Sequence, residues 1–272
     1  MLFNFFSKPH SYAMYVDGGF STVSPLPYKG SEYRYLPTVN NKKNQKCHLI
    51  LNHQDYETAI VELPDLPENE IPQAIHWEAV KLLGGNETLL SDFYHLPAVH
   101  HDHKKMVNIV AVSKDYIEFI KDKAIQQHIH LNKITIPEII YKDANLASID
   151  NSRFCMVIAN KAFGKVVIIE QGEVYFSRKF NLSFNDSLDE VDYESLVLLE
   201  LQRSLDYCER QYRILMPTEF MLVGDGVNAS LIERLKENFS LNINTEFPWD
   251  SALSEQQDLS SDHRFLLSAS YL

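Results

Sequence analysis

Imidazole and carboxylate crowd one short stretch of this chain, where His95, His100, His101, Asp102 and His103 offer the donor types that zinc takes. The spacing argues against a metal centre. Adjacent residues on a hairpin tip diverge to opposite faces, and no second close cluster supplies the remaining ligands, so the run reads as a solvated loop. His128 and His130 flank Ile129 at an apparent helix end, where a cationic ring suits the negative end of the helix dipole. Glu200, Arg203, Asp206, Glu209, Arg210 and Arg213 form a denser row. At i,i+3 and i,i+4 spacing on one helix they pair with each other and read as a solvated face, which is also a candidate partner surface. No GxSxG, HExxH or GxxxxGK[ST] run occurs, so no activated nucleophile and no P-loop can be assembled. Gly224-Asp225-Gly226 stands between an apolar run and a helical pattern, which is ordinary α/β punctuation.

The elements that must position these residues are written most plainly over 61–83. A β-rich run ending at Leu63 is stopped by Pro64 and Pro67, which cannot donate to a ladder. A helix follows: Glu68 and Glu70 put negative charge at its positive end, Pro72 suits the first turn, and Ile71, Ile75, Ala79 and Leu82 recur at helical spacing. That face should be buried. Ala74, Trp77 and Val80 fall on the other side as a second apolar strip, which needs a second contact. The neighbouring subdomain and a partner are the two candidates.

Tyr12 to Val16, Tyr33 to Leu36, His48 to Leu51 and Thr58 to Leu63 predict a small N-terminal sheet. Beyond the Trp77 helix, Gly84-Gly85 ends it, and Asp92 to Leu96 pairs with Met106 to Val112 as a hairpin. A helix from Lys114, a strand from Lys133 to Ile136 and a helix opening at Pro137 complete an α+β unit. Phe154 to Ala159, Lys165 to Glu170 and Glu173 to Phe180 predict a three-stranded meander turning at Gln171-Gly172. The longest helix carries Val197, Leu201, Leu205, Cys208 and Tyr212 on one stripe. A strand from Phe220 to Val223, a helix from Ala229 to Phe239, a β segment near Ile243 and a last helix from Arg264 to Leu272 follow.

A chain of 272 residues can bury a large core, and a formal net charge of −12 disfavours nucleic acid and anionic lipid. Cys47, Cys155 and Cys208 are scattered within apolar runs, which suits reduced thiols of the cytosol. The first ten residues lack the features of a signal peptide, and no apolar run is long enough to span a bilayer.

Three blocks carry a resemblance: Asp55-Tyr-Glu57 leading to Val61-Glu-Leu-Pro64 and Ala74-Ile-His-Trp-Glu78; Ser177-Arg-Lys-Phe180; and Leu199 to Gln211 on the long helix. With the order of elements they resemble the pilus-assembly proteins of the PilM kind, in particular those of the mannose-sensitive haemagglutinin (MSHA) type IV pilus. The resemblance implies an α/β, actin-like bilobed fold with an inserted α+β subdomain: 1–54 as the first part of lobe 1, 55–140 as the insert, and 141–272 as lobe 2 with a C-terminal helix returning. It further implies a scaffold, cytoplasmic and peripheral at the inner membrane, that docks the tail of a PilN- or MshJ-like membrane protein, with the assembly ATPase as a further partner.

Actin-like proteins hold ATP and magnesium between the lobes, so the resemblance also defines where a nucleotide would bind. Two glycine-rich hairpin turns would face the phosphates and a third glycine turn the adenine, because small residues admit phosphate oxygens to backbone amides. The first would be Val16 to Ser21, keeping Asp17, Gly18 and Gly19 but running into Pro25 and Pro27 instead of a clean return strand. In the second, Ala159 to Gly164, Asn160 replaces an acid, and Lys161 and Phe163 intrude. The third, Gly224 and Gly226, is retained. The expectation is a non-enzymatic scaffold with a degenerate cleft; the alternatives are an ATP-binding conformational switch and a sugar- or acetate-kinase-type phosphotransferase, for which no catalytic acid is evident. Trp77, with Val80, is the expected anchor for the partner tail, in a groove between the N-terminal sheet and the insert.

Overall fold

The computed structural model describes residues 11–16, 19–23, 45–63, 65–83, 88–97, 105–146, 153–170, 172–182, 190–212, 216–217, 219–239 and 242–245. The expected strand at Tyr33 to Leu36, the last helix, Gly84-Gly85, His100 to His103 and Arg213 lie outside them. The chain begins β1 (Ser11–Val16), β2 (Gly19–Val23), β3 (Gln45–Ile50), β4 (Tyr56–Glu62), α1 (Ile71–Leu83), β5 (Leu89–His95) and β6 (Met106–Ser113). It continues α2 (Lys114–Gln126), β7 (Ile129–Thr135), α3 (Pro137–Leu146), β8 (Phe154–Ala159), β9 (Phe163–Glu170) and β10 (Glu173–Asn181). The described residues end with α4 (Glu190–Tyr212), β11 (Glu219–Val223), α5 (Ala229–Phe239) and β12 (Asn242–Asn244).

Three sheets result, ordered β2-β1-β3-β7, β10-β9-β8-β11-β12 and β4-β6-β5. The two larger sheets share one plan. An antiparallel hairpin, β1–β2 or β8–β9, takes a parallel neighbour beside its first strand, β3 or β11, and then one more parallel strand, β7 or β12. Of the 55–140 span, β4, β5 and β6 form the small sheet, whereas β7 is a strand of the first large one.

α3 lies between the large sheets. Its Ile140 and Tyr141 share one core with Met14 and Ile50 of the first and Met156, Ile158, Val167 and Ile169 of the second. Because β9 is buried on both faces from Phe163 to Ile169, it reads in sequence as an almost unbroken apolar run. The far face of the second sheet is covered by α4 and α5, through Val197, Leu201, Leu205, Cys208, Leu231 and Leu235, as the helical spacing requires. Each such leucine contributes about 1.5–3 kcal/mol by its burial.

Alternation along β6 places α1 and α2 on opposite faces of the small sheet. Val107, Ile109 and Ala111 pack against Ile75 and Ala79 of α1, whereas Val110 and Val112 pack with Ile117, Ile120 and Ala124 of α2. Ser113 caps α2 by accepting the Tyr116 amide at 3.4 Å.

Three local expectations are corrected. Leu82 shares the stripe of Ile75 and Ala79, yet it is 49% exposed, so the apolar face of α1 is open at its last turn. The return strand after the first glycine turn is present: β2 pairs with β1 from Val16↔Gly19 to Tyr12↔Val23, ending before Pro25 can interrupt the ladder. β7 begins at Ile129, four positions earlier than Lys133. The helix ends abruptly because His128 adopts φ 58°, the left-handed conformation that closes a helix C-terminus, and the chain turns straight into the strand.

Candidate functional site

Three features of the folded chain gather chemistry: the facing glycine turns of the second sheet, a buried ionic junction, and a groove beside β7.

The turn after β8 and the turn after β11 are clasped together. Asp225 accepts the Lys161 amide through its carboxylate at 2.9 Å, and its own amide donates to Asn160 Oδ1 at 3.0 Å. The Gly226 amide donates to the Ala159 carbonyl at 2.9 Å, and the Tyr193 hydroxyl donates to the Asn160 carbonyl at 3.3 Å. Two backbone amides that could receive an anion are thus bonded to side chains of the opposite turn, with a carboxylate between them. Glycine is required on both sides of Asp225: Gly224 has φ 126°, and a Cβ on either would collide with the Ala159 carbonyl, on Gly226 with the Tyr193 hydroxyl as well. Burial first, then the Asp225 charge, raises the Tyr193 hydroxyl above its ordinary pKa. Lys161 is exposed, whereas Phe163 is buried beside His53, with ring centroids 6.0 Å apart, in the core between the large sheets. Gly19 opens β2, while Asp17 and Gly18 lie outside the described residues.

The ionic junction escaped the reading of the sequence. Lys165 of β9 and Glu138 of α3 pair at 2.6 Å with side chains 1% and 0% exposed. The remaining hydrogen-bonding capacity is met: Lys165 donates to the Tyr56 hydroxyl at 2.7 Å, Tyr56 to Glu138 Oε2 at 2.5 Å, and Ser177 to Glu138 Oε1 at 2.7 Å. Burial pushes the Glu138 carboxyl up, but the Lys165 charge and the bonds from Lys165, Tyr56 and Ser177 together hold it below its ordinary value. Lys179, the cross-strand neighbour of Lys165, is balanced separately by Glu57.

The other two blocks meet on the far side of β10. Arg178 donates to Glu200 at 2.8 Å and to the Ser204 hydroxyl at 2.9 Å, and Arg203 holds the other Glu200 oxygen at 2.6 Å. Glu200 is therefore not a solvated row member. It is buried, whereas Arg203, Glu209 and Arg210 are exposed.

A pH dependence follows. Glu138, Glu194 and Glu200 all have carboxyls lowered from 4.5, because charge partners and hydrogen bonds outweigh burial. A depressed carboxyl stabilises the fold above its unfolded value, and that contribution disappears as pH falls through the folded one. Thermal melts should therefore lose stability progressively below pH 4.5; a melting temperature that held or rose there would contradict the assignment.

The groove has a volume of about 290 Å³ and is lined by Leu49 of β3, Ile117 and Lys121 of α2, and Leu131, Asn132, Lys133 and Ile134 of β7. A β-bulge builds it. The β3–β7 register shifts between Cys47 and His48, so that Leu131 faces Cys47 and Ile134 faces Leu49, with Asn132 as the extra residue. Residues three apart, which strict alternation would send to opposite faces, thus both line the groove. Among the described residues β7 is the last strand of its sheet.

Trp77 is 67% exposed on α1, and Val80 is half-buried. Neither lines this groove, because α1 sits on the opposite face of the small sheet from α2. The expected anchor at Trp77 and Val80 is thus a surface separate from this groove. No group of three or more His, Cys, Asp or Glu residues that could hold a metal occurs among the described residues, and His100 to His103 lie outside them.

No family model matches this chain, and no curated protein sequence matches it. Solved structures do. The fold defined by the twin sheets, the insert and the glycine turns is the α/β actin-like fold: a protein from Bacteroides thetaiotaomicron, described as having an actin-like ATPase fold and unknown function, superimposes with TM-score 0.52 at 12% identity over 95% of both chains. A chain of a PilM–PilN type IV pilus biogenesis complex superimposes with TM-score 0.69 at 17% identity, over 97% of this chain and 98% of that one. The cytoplasmic domain of EpsL, an inner-membrane component of the Vibrio cholerae type II secretion system, does so with TM-score 0.53 at 8% identity, over 97% and 99%. Among the described residues no helix is long and apolar enough to cross a membrane.

Proposed function

We propose that this chain is a non-catalytic, cytoplasmic scaffold of type IV pilus assembly, and that it binds the cytoplasmic tail of an inner-membrane assembly protein in the groove between α2 and β7. The observation that carries the reading is an apolar groove beside the last described strand of a sheet, in a fold shared along its length with a chain of a PilM–PilN complex. An extended tail can pair with such a strand through its backbone and fill the groove with alternate apolar side chains. In the finer form of the proposal the scaffold is the MshI-like member of an MSHA-type system, its partner is PilN- or MshJ-like, and the assembly ATPase is a second partner. It then sits peripherally at the inner membrane through those contacts.

Two titrations test this. Synthetic peptides covering the cytoplasmic tails of PilN- and MshJ-like inner-membrane proteins are titrated into it by fluorescence anisotropy. One should bind with a Kd of order 1 μM, about 8 kcal/mol; none binding would overturn the proposal. Equilibrium dialysis with MgATP should show no saturable binding below about 1 mM, since the clasped turns offer an anion a carboxylate and two occupied amides. Micromolar binding that is lost on Asp17→Ala would favour the ATP-binding switch instead.

A further inference from the structure

Asp55, Tyr56 and Glu57 are three consecutive residues, and each grips a different element. Asp55 accepts the Tyr116 hydroxyl of α2 at 2.6 Å and the Asn52 amide at 3.1 Å. Tyr56 puts its ring into the core that holds Ile117 and Ile120 of α2, and its hydroxyl into the Glu138–Lys165 pair of α3 and β9. Glu57 pairs with Lys179 of β10, whose ammonium also donates to the Tyr56 carbonyl at 3.3 Å. The same α2 supplies Ile117 and Lys121 to the groove wall.

We propose that Asp55-Tyr56-Glu57 is a coupling element that ties the position of α2, the groove wall, to the second large sheet. The chemistry makes the linkage stiff. Tyr56 is 3% exposed, so its hydroxyl cannot exchange its two ionic partners for water, and α2 cannot shift away from β4 without disturbing either the Asp55–Tyr116 bond or the Tyr56 ring beneath it. Ser177 completes the link from β10, so a change made in the second sheet reaches α2 through Glu138 and Tyr56. The consequence for binding, that an occupied groove and the arrangement of the second sheet influence each other, rests on the tail reading above; the linkage itself does not.

Hydrogen exchange of the full chain without any peptide therefore tests it, and a failure of tail binding leaves the result interpretable. Ser177→Ala removes one hydrogen bond in β10, and Glu57→Gln removes a charge that is 55% exposed, so the variants should fold. Each should accelerate exchange of the α2 amides by about threefold or more. Arg178→Gln, on the same strand but turned toward Glu200 of α4, should accelerate α4 and leave α2 unchanged. Unchanged α2 exchange in both Ser177→Ala and Glu57→Gln, or equal acceleration of α2 by Arg178→Gln, would overturn the proposal.

Discussion

Lys165→Met is expected to lower the unfolding free energy by about 3–5 kcal/mol, the usual cost of leaving a buried charge without its partner. Methionine nearly matches the lysine stem in volume, so packing is largely kept and the loss is electrostatic. Glu138 would retain the Tyr56 and Ser177 hydroxyls but lose the Lys165 charge, in a site where both side chains are at most 1% exposed. The double variant Lys165→Met/Glu138→Gln should recover most of the loss, because it removes both charges and leaves an amide whose oxygen accepts from one hydroxyl and whose nitrogen donates to the other. Urea unfolding of the three proteins decides: a single variant within about 1 kcal/mol of wild type would mean that the pair does not hold the junction. The exposed Lys81–Glu78 pair, at 3.4 Å, contributes a few tenths of a kcal/mol at most and makes a suitable control.

Ile134→Glu should weaken the tail peptide by about tenfold or more while leaving the fold intact. Ile134 is 38% exposed in the free protein, so a carboxylate there stays solvated until a peptide covers it. Its backbone ladder to Leu49 is unaffected, which separates loss of the apolar contact from loss of the strand. Trp77→Ala, on the opposite face of the small sheet, should change the same affinity by no more than about twofold. A Trp77 variant that abolished binding, with Ile134→Glu neutral, would move the site to α1.

Elements with strong periodicity were legible in the sequence. The α4 stripe, the β8–β9–β10 meander and the hairpin of β5 with β6 follow from spacing alone, because burial on one face repeats at a fixed interval. What was not legible depends on neighbours distant along the chain. Lys165 stands at the head of an apolar strand and gives no sign that Glu138 waits on a helix packed against it. Glu200 resembles every other charged residue on its helix until Arg178 arrives from β10. Leu131 and Ile134 look like opposite faces of one strand, and only the bulge at Asn132 brings them together. The Asp55-Tyr-Glu57 and Ser177-Arg-Lys-Phe180 blocks supported a resemblance, but their physical meaning, two strands locking α2, α3 and α4, emerged only from the contacts.

The central claim is that the partner tail lies along β7. Amide hydrogen exchange of the full chain, with and without a saturating concentration of the tail peptide that binds, reads this directly. The account predicts new protection concentrated in β7 and α2, with the β11–α5 turn and α1 unchanged. Protection confined to the exposed face of α1, or to the turns around Asn160 and Asp225, would contradict it.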